Sequence, residues 1–155
     1  MIQRIQTLYL AIAAALSGFL LQGPVVRLVK SANETYELNY RGIFAIDNGV
    51  LGEAVEKSLP LTIIMIAVPV LFILAIFLFR RRKLQMRVCV FSTLLLIGSF
   101  LLMLFYIFYA GKKLDAEMIF NIKLIFPIAG AICGYLAFRN ILKDELLVKS
   151  YDRIR

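Results

Sequence analysis

A chain of 155 residues that is 61% hydrophobic, with a mean hydropathy of +0.84, carries more apolar surface than a soluble domain of this size can bury. Only 18% of its residues are charged, and these gather in short clusters between long uncharged runs, as in a chain that crosses a bilayer. The net charge of +8 would suit nucleic-acid binding, but the basic residues flank apolar runs, so no nucleic-acid partner is expected.

The first apolar run extends from Ile5 to about Leu21. Arg4 ahead of an alanine-rich stretch also describes a secretory signal peptide. Cutting at Ala13-Ala14-Ala15 would, however, leave an h-region of only about ten residues, and the uncharged run continues to Val26, so an uncleaved anchor is expected.

Residues 22–58 then form an extracytoplasmic lobe. Val25 to Lys30 is β-prone, and Tyr36, Leu38 and Tyr40 alternate with Glu37, Asn39 and Arg41 in a run that continues through Gly42 into Ile43, Phe44 and Ile46. Ser31-Ala32-Asn33-Glu34 has turn composition and Asp47-Asn48-Gly49 ends the second run, which predicts a β-hairpin. A lone hairpin is marginal in water, so this one must pack on the helices, on a partner or on another copy.

Three further apolar runs follow, at Leu59 to Phe79, Val88 to Ala110 and about Met118 to Phe138. All four runs must be helical, because an unpaired backbone amide in lipid costs several kcal/mol and none shows the alternation of a membrane barrel strand. Ser58 before Leu59-Pro60 reads as a helix cap with proline in the first turn. Pro69 and Pro127 are expected to kink the second and fourth spans. The short connections Arg80 to Arg87 and Gly111 to Glu117 make the last three spans antiparallel neighbours.

Gly130 and Gly134, with Ala131 and Ala137 nearby, give span four a small-residue face, and Ala11, Ala14, Ala15 and Gly18 give span one a matching surface. Contact between them would close a bundle; self-association through the same glycines is the rival reading. Asn140 to Arg155 continues the fourth helix or restarts beyond it as a cytoplasmic amphipathic tail, 140–155. The expected fold class is thus an all-α membrane protein: a four-transmembrane-helix bundle, in one domain, with a small β-hairpin lobe between helices 1 and 2.

Orientation follows from lysine and arginine. With the N-terminus inside, the inner segments hold eleven basic and three acidic residues and the outer segments seven of each, so the whole net charge lies on one side and both termini are expected in the cytoplasm. Arg80, Arg81, Arg82, Lys83 and Arg87 would face the anionic headgroups of the bilayer, each contributing about 1 kcal/mol.

The chemistry is defined by what is missing. There is no histidine, which removes bis-histidine haem, the usual zinc sites and a histidine base. Cys89 and Cys133 lie within spans, are not a C-x-x-C pair, and read as small apolar residues. No phosphate loop, nucleophile elbow or paired-carboxylate motif is present. No enzyme, cofactor or metal site is therefore expected. Lys123, about one turn inside the outer boundary and able to snorkel, is the single ionisable candidate for a transport role.

The opening Met1-Ile2-Gln3-Arg4-Ile5-Gln6-Thr7-Leu8-Tyr9-Leu10, the loop Arg82-Lys83-Leu84-Gln85-Met86-Arg87-Val88-Cys89 and the close Lys143-Asp144-Glu145-Leu146-Leu147-Val148-Lys149-Ser150-Tyr151-Asp152-Arg153-Ile154-Arg155 resemble a family of four-helix membrane proteins from Bacteroidota, domain-of-unknown-function family 4293. The resemblance covers essentially the whole chain and implies a bacterial inner-membrane location, with no activity or site residues to carry over. The expected role is a non-catalytic accessory or assembly subunit of a larger inner-membrane complex, with a protein partner or self-association. The alternative is a small oligomeric transporter or channel worked by the two prolines and Lys123.

Overall fold

A computed structural model of the chain describes residues 2–31, 34–47 and 50–152. Among the described residues there are four α-helices and five strands: α1 (Ile2–Phe19), β1 (Val26–Ser31), β2 (Glu34–Asn39), β3 (Gly42–Asp47), β4 (Val50–Lys57), α2 (Leu59–Phe77), α3 (Arg82–Leu114), β5 (Glu117–Phe120) and α4 (Phe126–Asp152). Short 3-10 turns, Leu78–Arg80 and Ile122–Ile125, join α2 to α3 and β5 to α4.

The fold is not all-α. The segment read as a hairpin supplies four strands of a five-stranded antiparallel sheet, ordered β4-β3-β2-β1-β5. The run read as one strand through Gly42 is two, because Tyr40 and Arg41 form the turn between β2 and β3 and Gly42 takes a φ of 134° that glycine alone adopts freely. The edge strand β4 escaped the sequence reading because Gly52, Glu53, Ala54, Glu56 and Lys57 have weak strand preference; cross-strand pairing with β3 holds them. The strand β5 replaces what was read as the start of span four. Met118-Ile119-Phe120 is apolar enough to pass for helix, but it pairs with Val26 to Leu28 of β1 instead. The turn residues Ala32, Asn33, Asn48 and Gly49 lie outside the described residues.

The β1–β5 pairing has a topological cause. The neighbouring helices α1 and α4 lead into β1 and out of β5, so the two segments leave adjacent helix ends together and keep pairing as strands. Asn121 continues the ladder by donating its backbone N–H to the Val25 carbonyl at 3.2 Å.

The helices pack in a ring, with α1 and α3 each contacting both α2 and α4. Their outward positions are apolar: Leu8 on α1, Leu59, Ile63 and Phe77 on α2, Phe91, Leu94 and Phe105 on α3, and Ile128 and Ile132 on α4 are all exposed. Among the described residues, three helical segments, Leu59–Arg80, Arg82–Leu114 and Ile122–Leu147, are long and apolar enough to cross a membrane. The first predicted span falls short of that measure, its apolar part being Ile5–Phe19. Hydroxyls inside the helices are satisfied locally: Ser17 donates to the Ala13 carbonyl at 2.8 Å, Ser92 to Val88 at 2.7 Å and Ser99 to Leu96 at 2.7 Å.

The core has two parts. At the sheet end, Val26 and Leu28 of β1, Leu38 of β2 and Ile43 of β3 pack with Leu20, Leu61, Met65, Met103 and Ile107. The sheet therefore uses one face to cover its own helix ends, and the marginal stability of a lone hairpin no longer calls for a partner. At the other end, Leu10, Ala13, Phe72, Leu96, Ala137 and Ile141 fill the space between the helices. Two side-chain bonds lock the sheet onto the helices: Thr62 of α2 donates to the Tyr40 carbonyl at 2.9 Å, and Lys113 of α3 pairs with Glu56 of β4 at 3.0 Å. Ser58 occupies the cap position of α2, but its hydroxyl makes no capping bond and is buried unpaired.

Candidate functional site

The end of the helices opposite the sheet is built from the basic connection and from amides that close the helix ends. Helix α3 begins at Arg82, not near Val88, so most of the predicted loop is helical and only Arg81 links it to the 3-10 turn. Gln85, buried, donates its side-chain amide to the Ala75 carbonyl at 3.0 Å, supplying a partner to one of the carbonyls that the end of α2 leaves open. Gln6 of α1 donates to Asp144 Oδ2 at 2.9 Å and to the Asn140 carbonyl at 3.1 Å, while Arg82 Nη1 reaches the Asp144 carbonyl at 3.4 Å. These bonds fix α1, α3 and α4 to one another. Residues 140–152 continue α4 without a break, the first of the two alternatives expected for this segment.

Of the five basic residues singled out in the sequence, Arg82 is tied to α4, whereas Arg80, Arg81, Lys83 and Arg87 are exposed. Arg80 lies over the Phe79 ring at 5.8 Å. Lys83 and Arg87, one turn apart on α3, stand at the mouth of a groove between α3 and α4. Beyond them the groove is apolar. Val90, Leu94 and Ile97 of α3 face Ile128, Ala131 and Ile132 of α4 across a cavity of about 620 Å³, and Val90, Leu94 and Phe138 are shared with a second cavity of about 580 Å³ at the basic mouth.

The small residues have other duties. Gly130 faces Leu96 of α3, where an added Cβ would come to 2.8 Å of Leu96 Cδ2, and Gly134 faces Thr93 of α3 and Phe72 of α2. Cys89 donates its thiol to the Gly134 carbonyl at 3.4 Å. Both glycines are thus occupied within one chain. Ala14 is buried against α4, Gly18 has open space where a Cβ would stand, and Ala11 and Ala15 are exposed.

Lys123 and Pro127 lie at the sheet end of the molecule, where β5 leads into α4. The Lys123 ammonium donates to the Gln22 carbonyl just past the end of α1, a favourable place for a cation. Pro127 is the second residue of α4, where a missing N–H costs nothing, directly after the 3-10 turn; Pro69 lies inside α2 and is buried. Sequence reasoning missed Gln6, Gln85 and Asp144. The available signal for Gln6 and Gln85 was an amide inside or beside an apolar run, which in such surroundings must find a partner.

The second surface is the sheet face turned away from the helices. The register places Arg27, Glu37 and Phe44 in one row and Val29, Thr35 and Ile46 in the next, with Ile119 beside Arg27. Arg27 pairs with Glu37 at 2.9 Å, and the side chain of Glu37 is only 9% exposed. Ile119 is 55% exposed, and Val29, Phe44 and Ile46 are half-buried. The result is an ion pair surrounded by aliphatic and aromatic groups.

Apolar helices roofed by a sheet, with a groove along two of them, define a helical protein built around membrane-length segments. The sequence matches the family described as Domain of unknown function (DUF4293) over residues 2–154, and the chain belongs to that family. No curated protein matches it.

Proposed function

We propose that the chain is a non-catalytic accessory subunit of a larger complex in a bacterial inner membrane, with both termini cytoplasmic and the sheet outside. The observation that supports this is the outward sheet face. One face of the sheet is consumed in covering the helices, yet the other still presents Val29, Phe44, Ile46 and Ile119 around the Arg27–Glu37 pair. Apolar and aromatic groups around an exposed arginine anchored on a buried carboxylate make up a protein-contact surface. The sheet edges suit such work less well, since β5 is short and β4 is bulged and carries Glu53, Glu56 and Lys57. The proposed orientation rests on the basic excess at the end opposite the sheet, where Arg80 to Lys83 and Arg87 lie.

The test is a photoreactive side chain at Phe44 in the full chain in its native membrane, with adducts identified by mass spectrometry. A reproducible adduct with a different protein, lost on Ile119→Lys, is the expected result. Adducts with copies of the same chain alone, or none, overturn the subunit reading.

A further inference from the structure

The two cavities between α3 and α4 adjoin, with Val90, Leu94 and Phe138 in the walls of both. Followed from its basic end, the groove they make up begins between Lys83 and Arg87 and ends near Phe100 and Pro127. From Arg87 to Phe100 is 13 residues of α3, about 20 Å along the axis, slightly more than one leaflet's share of a hydrocarbon layer about 30 Å thick. Past Arg87, among the described residues, no ionisable side chain but the Tyr135 phenol lines it. Lys83, Arg87, Val90, Leu94 and Ile97 fall on one stripe of α3 at helical spacing, so two cations continue directly into an apolar wall.

Cation at the surface and oil for one leaflet below it is the profile of a single amphiphile. We propose that the groove holds an anionic phospholipid from the leaflet at the basic end, its phosphate on Lys83 and Arg87 and an acyl chain along Val90, Leu94 and Ala131. The charge at the mouth selects this occupant over a partner's helix, which would bring apolar side chains to two exposed cations. Arg82 is not part of the headgroup site, being turned to the Asp144 carbonyl. Glu145, 8% exposed, lines the mouth's inner wall, so the two cations exceed the one acid there. This inference is independent of the sheet contact proposed above.

The full chain in mild detergent is titrated with phosphatidylglycerol and with phosphatidylcholine and followed by native mass spectrometry. Phosphatidylglycerol is expected to be retained preferentially, with retention falling about fivefold for Lys83→Gln and again for Arg87→Gln. The groove-filling variant Ala131→Leu is expected to lower retention of both lipids, with its thermal unfolding compared with the parent's to show that it folds. A photoreactive side chain at Leu94 in native membranes is expected to acquire the mass of a phospholipid. Equal retention of the two lipids, no response to either cation variant, or a Leu94 adduct with another protein overturns the proposal.

Discussion

At Gly42 the backbone takes a φ of 134°, and an added Cβ would overlap the carbonyl oxygen of Glu56 in β4. Neither problem can be relieved by moving a flexible side chain, because the obstruction is backbone within a sheet. Gly42→Ala is therefore expected to lower the stability of the full chain by about 1–3 kcal/mol, read as a lower melting temperature in detergent. Gly18 is the internal control. It lies in α1 with open space around it, so Gly18→Ala is expected to stabilise by about 0.5–1 kcal/mol through helix propensity alone. Equal effects at the two positions would mean that the turn at Tyr40 and Arg41 does not constrain the sheet.

Between elements, α3 and α4 meet at Gly134, whose missing side chain makes room for the Thr93 hydroxyl. That hydroxyl donates to the Cys89 carbonyl at 2.8 Å, so it cannot swing aside without losing its partner. Gly134→Ala should cost about 1–3 kcal/mol by overpacking, and Thr93→Ala in the same chain should recover much of it. A double-mutant cycle in detergent melts with no coupling would place the strain elsewhere. The same elements mark how far sequence reasoning reaches. Runs such as Leu59 to Phe79 were legible as helices because their apolar length has one explanation, and β1 and β2 because alternation is a local signal. The strands β4 and β5 were not, since β4 has weak strand propensity and β5 is joined to an apolar run, and only pairing with distant strands decides either. The site was legible in part. Lys83 and Arg87 stood out as charge, but the groove they open depends on where α3 and α4 diverge, which no single segment encodes. Gly130 and Gly134 were recognised as packing residues, while their partners Leu96, Thr93 and Phe72 follow from the order of helices around the ring.

At the scale of the whole molecule, α3 is the longest element, with 33 residues or about 50 Å, and its uncharged stretch from Val88 to Gly111 spans about 36 Å. That exceeds a hydrocarbon layer of about 30 Å by roughly one turn. The excess lies at the sheet end, where Met103, Ile107 and Ala110 are buried under Val26, Leu28 and Leu38. The sheet thus covers apolar helix that the bilayer would leave exposed. The basic cluster of Arg80 to Lys83 and Arg87 lies at the opposite end, and the proposed orientation, which puts that end in the cytoplasm, rests on it. Glu53 in β4 and Lys143 in α4 are both exposed and lie at opposite ends of the molecule. In intact cells Glu53→Cys is expected to react with a membrane-impermeant maleimide, whereas Lys143→Cys should react only after permeabilisation. The reverse pattern would put the basic end outside, removing the Lys83 and Arg87 site from the cytoplasmic leaflet and the sheet from the compartment where its outward face would meet a partner.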